Sequence, residues 1–143
     1  MSDRVFIDTN VLVYASDPAS PHAPASRRFV DQINAGQLDG CIAPQVLLEF
    51  FSVVTNPKRV SRARSSDEAW AVAEMFGTSM DVLPPPRDLV ARVETLSRSL
   101  GLTGAKVYDA AIAATALAHG VTTVVSCDAG VFSRVPGLTV RTP

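Results

Sequence analysis

The sequence predicts an α/β protein, a three-layer α/β/α sandwich around a central, mostly parallel sheet. Short apolar runs rich in β-branched residues alternate with longer segments in which apolar residues recur at helical spacing. Strands that alternate with helices are typical of a parallel sheet covered on both faces. With 143 residues, of which 47% are hydrophobic and 19% charged, the chain fits a single domain spanning residues 1–143.

The predicted elements follow one another along the whole chain. Gly36, Gly101 and Gly120 suit positions just past helix ends, and Pro44 suits the first turn of a helix. The predicted strands cover residues 5–7, 41–43, 81–83, 121–126 and 138–141. The first predicted helix begins near residue 11, and five further helices cover residues 25–35, 44–55, 69–76, 87–100 and 108–119.

Composition limits the classes of function. A net charge of −1 argues against a protein that coats nucleic acid by bulk electrostatics. Cys41 and Cys127, with only two histidines in the chain, are too few for a structural zinc site, and we expect them to be small buried residues. The apolar runs are too short for a membrane span and residues 1–5 show no leader, so we expect a cytoplasmic protein with no membrane association.

Two aspartates directly follow predicted strands. Asp8 comes after the run at 5–7, and Asp128 lies just beyond the run at 121–126. Open α/β sheets bind ligands at the carboxyl ends of their strands, so these two carboxylates are expected to lie near each other. A helix cap for Asp8 and a turn residue for Asp128 are the structural alternatives.

Two further acids lie within apolar helices. Glu49 sits at the margin of the buried stripe of its helix, where an unpaired charge is costly to bury. Asp109 shares a helix face with Ile112, Ala113 and Ala116 and therefore points toward core packing. An exposed stripe-edge glutamate and an acid that interacts with a helix N-terminus are the alternatives.

Four acids gathered in one place would repel one another unless a cation lay between them. Mg²⁺ and Mn²⁺ prefer carboxylate oxygens and serve phosphodiester hydrolysis, in which an ion orients water and offsets charge on the phosphate. The pattern therefore favours a divalent-metal site.

Four segments around these acids resemble the PIN-domain nucleases, and among them the VapC toxins of bacterial toxin-antitoxin pairs. The segments span residues 6–14, 44–50, 107–114 and 125–132, in the order found in that family. The resemblance implies a PIN-like fold and an endoribonuclease that cleaves RNA with Mg²⁺ or Mn²⁺. It also implies a homodimer and a VapB-type antitoxin whose tail enters the acidic site.

The resemblance also implies roles for individual residues. The metal ligands, direct or through water, would be Asp8, Glu49, Asp109 and Asp128. Thr9, Asn10 and Ser126 match polar positions beside the acids, although caps and turns explain them equally well. Many relatives carry another acid two residues past the fourth, where this chain has Gly130, so the occupancy of a second ion is open.

Basic residues near the acids are candidates for contacts with RNA phosphates. They are Lys58, Arg59, Arg62, Arg64 and Lys106. A solvated surface or contact with an acidic partner explains them as well. The sequence indicates no aromatic platform for single-strand stacking, so recognition by RNA shape or through a loop is expected.

Two other functions remain open at this stage. One is a phosphatase with Asp8 as nucleophile, although the segment Asp8–Asn10 lacks the second aspartate typical of haloacid-dehalogenase enzymes. The other is a receiver-like or degenerate PIN module that only binds a partner. Retention of all four acids argues against the degenerate module.

Overall fold

The computed structural model describes residues 3–143. Within this range the strands are β1 (Arg4–Ile7), β2 (Asp39–Ile42), β3 (Asp81–Val82), β4 (Thr123–Val125) and β5 (Thr139–Arg141). The helices are α1 (Thr9–Ala15), α2 (Ala23–Asn34), α3 (Pro44–Val54), α4 (Ser66–Ser79), α5 (Leu89–Leu100) and α6 (Lys106–Ala118), with a 3₁₀ turn at Phe132–Arg134. The expectation about the N-terminus partly concerns Met1 and Ser2, which lie outside the described residues.

The strands form one sheet in the order β3-β2-β1-β4-β5. Every neighbouring pair is parallel, so the sheet is entirely rather than mostly parallel. In the central strand β1, Phe6 pairs with Cys41 of β2 on one side and with Val124 of β4 on the other. The first strand of the chain is therefore the middle of the sheet.

The helices cover both faces of the sheet. From β1 the chain moves outward through β2 to β3, and it then returns across β1 to β4 and β5. Because parallel crossovers are right-handed, this reversal puts α1–α4 on one face and α5–α6 on the other. The contacts agree, since α1 packs on α2 and α3, α3 packs on α4, and α5 packs on α6. The predicted three-layer sandwich is confirmed, with its topological switch point between β1 and β4.

The strands are continuous apolar runs in the sequence because helices cover both of their faces. Phe6, Ile7, Val124 and Val125 are fully buried, as expected for strands covered on both faces. On the helical side, Phe50 of α3 is also fully buried and meets the ring of Phe76 edge-on at 5.4 Å.

Alanines form the buried face of α6. Ala110, Ala113 and Ala116 are completely buried on this helix. Alanine has the highest intrinsic helix propensity and adds little bulk, so the helix forms readily and its buried face stays small. Asp109 lies in the first turn of this helix.

Some boundaries differ from the sequence expectations. Helix α1 begins at Thr9 because the side chain of Asp8 caps it by accepting from the Thr9 amide. Helix α4 begins at Ser66, where Ser65 and Glu68 form a capping box. The 3₁₀ turn was not predicted, since a single turn gives no periodic signal, although it buries Phe132.

The cysteines are both free. Cys41 is completely buried, as predicted, and burial raises the pKa of its thiol to about 12, which keeps it protonated. Cys127 is only half-buried, because it lies on the turn after β4 rather than inside the strand.

Across residues 3–143, no helix is both long and apolar enough to cross a membrane.

We predict that Phe50→Ala lowers the free energy of unfolding by about 3–5 kcal/mol, since it removes a completely buried ring. Leu48 lies on the same helix but is 61% exposed, and Leu48→Ala is expected to change the free energy of unfolding by less than about 0.5 kcal/mol. Urea titration of both variants measures the difference. Equal losses would contradict this description of α3.

Candidate active site

The site lies at the switch point of the sheet. The backbone N–H of Asp8 donates to the Val125 carbonyl at 2.9 Å, which joins the carboxyl ends of β1 and β4. The Asp8 carboxylate is buried, and its Oδ1 accepts from the Thr9 amide at 2.8 Å. Asp128 is exposed on the turn just after β4. The structure thus places both strand-end aspartates at the same edge of the sheet.

Ser126 organises the polar contacts at this edge. Its side chain is completely buried, and its hydroxyl lies 2.8 Å from Asp8 Oδ2 and 2.7 Å from the Asp128 carbonyl oxygen. One hydroxyl proton serves one of these acceptors at a time. The hydroxyl oxygen accepts from Asn10 Nδ2 at 3.2 Å and from the Asp128 amide at 3.1 Å. Asn10 Oδ1 also accepts from the Cys127 amide at 3.1 Å, so Asn10 fixes the turn after β4 to α1.

Glu49 is held from two sides. Thr9 Oγ1 donates to Glu49 Oε2 at 2.9 Å, and Gln45 Nε2 donates to Glu49 Oε1 at 2.6 Å. The same Gln45 amide donates to the Tyr108 carbonyl oxygen at 3.1 Å, next to Asp109. Sequence reasoning missed Gln45, although its position four residues before Glu49 places the two side chains on one helix face.

The acids influence one another electrostatically. Burial, together with the smaller effect of the charges of Asp109 and Glu49, raises the pKa of Asp8 to about 6, although hydrogen bonds from Ser126 and Thr9 act to lower it. Burial also raises the pKa of Asp109, as do the charges of Glu49 and Asp128. All four acids are therefore linked through their fields.

No cation neutralises these acids among residues 3–143. The ion pairs there join Arg4 to Asp39 and Asp81, Arg92 to Asp88, and Arg98 to Glu94. The side-chain and backbone donors on Asp8 and Glu49 are all neutral, being hydroxyls, an amide side chain and a peptide N–H. The site holds its carboxylates in place without cancelling their charge.

Three of the acids, Asp8, Glu49 and Asp109, line a cleft of about 870 Å³ between α1, α3 and the start of α6, whereas Asp128 lies outside its lining. The basic side chains of Arg59 and Lys106 also line this cleft. The cleft therefore has an acidic interior with cationic residues among its lining.

The other three basic candidates lie elsewhere. Arg62 and Arg64 line a separate depression beside Ser16, and Arg64 Nη2 donates to the Ser16 carbonyl at 2.9 Å. Lys58 is exposed on the turn after α3. The structure thus places Arg59 and Lys106, but not Arg62 and Arg64, at the cleft.

The cleft also has an aromatic lining that the sequence did not indicate. Tyr14 and Tyr108 both line it, and Tyr108 is 58% exposed. The two tyrosines lie far apart in sequence and line one cleft because the end of α1 and the start of α6 both lie near it. The expectation that no aromatic platform stacks RNA bases stays a prediction.

The donor set fits a hard divalent cation, although residues 3–143 contain no group of three or more His, Cys, Asp or Glu side chains arranged to hold an ion unaided. Mg²⁺ is usually bound by one or two carboxylates with retained waters and substrate phosphates, so a tight protein cage is not required. The unneutralised charge around Asp8 is the observation that favours a cation here.

Gly130 has a φ of +37°, in the left-handed region that favours glycine. A Cβ there would lie 3.4 Å from Asp128 Oδ1. That distance is an ordinary van der Waals contact, so the positive φ rather than a clash opposes a larger residue here. With glycine at this position, the turn after β4 supplies only the carboxylate of Asp128.

The chain belongs to the PIN-domain family, whose model matches residues 5–138. This membership confirms the resemblance found in the sequence and places the acid-lined cleft within the matched region. It also disfavours the phosphatase alternative, which belongs to a different family.

The chain is also similar to individual proteins. It is 29% identical over 116 residues to ribonuclease VapC24 of Mycobacterium tuberculosis, and the aligned region covers 80% of this chain and 79% of that protein. Among solved structures, VapBC2 from Rickettsia felis bound to a promoter DNA fragment superposes with a TM-score of 0.70 at 19% identity, over 97% of this chain and 98% of that chain. The sarcin-ricin loop cleaving toxin VapC20 of M. tuberculosis gives a TM-score of 0.67 at 16% identity, over 91% and 94%. At these identities the two structures show a shared fold.

We predict that Asp8 makes the metal-free protein less stable as the pH rises. An unfolded aspartate ionises near pH 3.9, whereas folded Asp8 ionises near pH 6, so between these values only the folded state keeps the proton. The free energy of unfolding should fall across this window and stay low above it. The loss due to Asp8 is about 3 kcal/mol.

Asp8→Asn removes this dependence. In EDTA, its stability advantage over the unchanged chain is expected to grow by about 2 kcal/mol between pH 4 and pH 7, as measured by urea unfolding. Asp88→Asn, at an exposed acid, is the control and should show no such growth. An advantage for Asp8→Asn that is independent of pH would contradict the buried, crowded carboxylate.

Proposed function

We propose that this protein is a Mg²⁺- or Mn²⁺-dependent endoribonuclease, a single nuclease domain that acts in the cytoplasm as the toxin of a toxin-antitoxin pair. One observation carries the proposal: among residues 3–143, the Asp8 and Glu49 carboxylates at the switch point of a PIN fold accept hydrogen bonds only from neutral donors, in a cleft that also contains two cationic side chains. The ribonuclease names of VapC24 and the toxin VapC20 support the choice of RNA.

The ligands of the ion would be Asp8, Glu49, Asp109 and Asp128, directly or through water. A bound Mg²⁺ or Mn²⁺ supplies charge stabilisation at the scissile phosphate and a more acidic water. The carboxylates of this chain would hold the ion and orient a water toward the scissile phosphate. With a pKa of about 6, Asp8 is mostly ionised at neutral pH even in the metal-free protein, so little free energy is needed to deprotonate it before an ion binds.

Thr9, Asn10 and Ser126 hold these carboxylates in fixed positions relative to one another. Thr9 links Asp8 to Glu49 through its amide and its hydroxyl. Ser126 and Asn10 connect Asp8 to the turn that carries Asp128. Because all three act through hydrogen bonds that leave the negative charge intact, they preorganise the site without weakening its attraction for a cation.

Arg59 and Lys106 would bind RNA phosphates on either side of the acids. Their side chains are exposed, and they line the cleft from the segment after α3 and from the start of α6. Phosphate contacts position a nucleic acid without reading its bases. Substrate choice would then depend on the shape of the RNA and on the remaining walls of the cleft.

The proposed partners are a VapB-type antitoxin and a second copy of the chain. The structural neighbours include VapBC complexes from Rickettsia felis and Salmonella typhimurium, both bound to DNA. A cleft with an acidic interior suits a basic antitoxin segment, which would occupy the position of the metal and the RNA backbone and so block cleavage.

We predict discrete cleavage of structured cellular RNA by the purified chain with Mg²⁺ or Mn²⁺, and none with EDTA. Asp8→Asn and Asp109→Asn should remain folded and lose at least about 100-fold in activity, because each removes a charge that holds the ion. Fragment patterns on denaturing gels provide the measurement.

Asp88→Asn serves as the matched control, since Asp88 is an exposed acid paired with Arg92 outside the cleft. It should cleave like the unchanged chain. No cleavage by any of these proteins, together with no Mn²⁺ binding by calorimetry, would favour the partner-binding module over the nuclease.

We also predict that Arg59→Ala and Lys106→Ala raise KM for RNA while kcat changes little. Each should reduce the slope of log affinity against log salt by about 1, the loss of one phosphate contact. Arg62→Ala is the comparison, since Arg62 lies at the separate depression. Equal effects of all three substitutions would argue that RNA follows a different surface.

A further inference from the structure

Gln45 contacts two parts of the cleft at once. It occupies the first turn of α3, where Pro44 supplies the helix start, and neither residue is used to cap the helix by a side-chain hydrogen bond. The side-chain amide of Gln45 instead crosses the cleft. One N–H donates to Glu49 Oε1 at 2.6 Å and the other to the backbone carbonyl of Tyr108 at 3.1 Å.

These two bonds use both amide protons of Gln45. One partner is an acid of the site, and the other is the backbone immediately before Asp109, a second acid. Since Thr9 Oγ1 holds the remaining oxygen of Glu49, the carboxylate is fixed at both oxygens. Glu49 on its flexible side chain therefore has one preferred orientation relative to α6.

The chemistry of the donor matters as much as its position. A lysine or arginine at residue 45 would also hold Glu49, but it would cancel the charge that attracts a cation. A glutamine amide orients the carboxylate and leaves it anionic. This matches the rest of the site, in which Asp8 too is held only by neutral donors.

We infer that Gln45 is a positioning residue, which orients the Glu49 carboxylate for a divalent cation and couples it to the backbone that carries Asp109. This role rests on the proposed function, because it concerns the same metal-dependent site. In this role Gln45 acts through Glu49 and through the backbone before Asp109, rather than on the phosphate itself. Residues that orient metal ligands in this way typically change metal affinity or activity by about 10- to 100-fold when they are lost.

The first test uses metal-free, unsubstituted protein. The side-chain amide protons of Gln45 should exchange with water more slowly than those of Gln37, an exposed glutamine in the turn before β2. Nitrogen-proton correlation spectra record both. Glu49→Ala should speed exchange of the Gln45 amide, because it removes one of the two acceptors, while the Tyr108 carbonyl keeps that exchange slower than that of Gln37. Equal exchange rates in the unsubstituted chain would overturn the inference whether or not the protein is a nuclease.

The second test uses Mn²⁺ alone, by calorimetry. Gln45→Leu, of similar size but without donors, should weaken Mn²⁺ binding by about 10- to 100-fold and lower kcat by a similar factor, with KM for RNA little changed. Gln37→Leu should leave both unchanged. Gln45→Lys, which restores a donor but adds a positive charge, should not rescue binding.

The two possible failures are distinguishable. If the unsubstituted chain binds no Mn²⁺ and cleaves no RNA, the proposed function fails and the positioning role falls with it. If the unsubstituted chain binds Mn²⁺ but folded Gln45→Leu binds it as tightly, only the inference about Gln45 is overturned. Rescue by Gln45→Lys would overturn the requirement for a neutral donor.

Discussion

The Asp8 carboxylate has to satisfy two demands that pull against each other. As the cap of α1 and the residue that follows the central strand, it must be buried at the junction of β1 and β4. As an acid among acids, it is destabilised by that burial and by Asp109 and Glu49 nearby. Hydrogen bonds from Thr9 and Ser126 offset part of this cost but leave the charge uncompensated. The surrounding structure is built to hold an anion that it does not neutralise.

Two groups of acidic side chains in the protein differ in their partners, those that form ion pairs with arginine and those of the cleft. Arg4 joins Asp39 and Asp81, and with them three neighbouring strands, through ion pairs, and the exposed pairs on α5 also match opposite charges. Such pairs are at or near the surface and add little to stability. Within residues 3–143 the acids of the cleft form no such ion pairs, although Arg59 and Lys106 line the same cleft. Cationic side chains are thus close enough to meet a polyanion without forming ion pairs with the acids.

The fold could be predicted largely from local pattern. The alternation of apolar runs and helical segments specified the sandwich, and Asp8 and Asp128 were placed together by the general behaviour of parallel strands. The contributions of Gln45 and Tyr108 could not be foreseen in the same way. Gln45 acts through a bond to a backbone carbonyl 63 positions away, and Tyr108 lines a cleft whose other walls are α1 and α3. Contacts of this kind depend on the packing of helices, which periodicity does not specify.

The central position of β1 has a consequence for folding. Strand β1 pairs with β4, which follows α1–α6 and the strands β2 and β3 in the chain, and Ser126 and Asp128 come after β4. Contacts of such long sequence separation form late, because the intervening chain must first be closed into a loop. The segment from β1 to β3 can pack with α1–α4, yet Asp8 gains its contact with Ser126 only once β4 has paired with β1. The position of one strand in the sheet therefore makes completion of the site one of the last steps of folding.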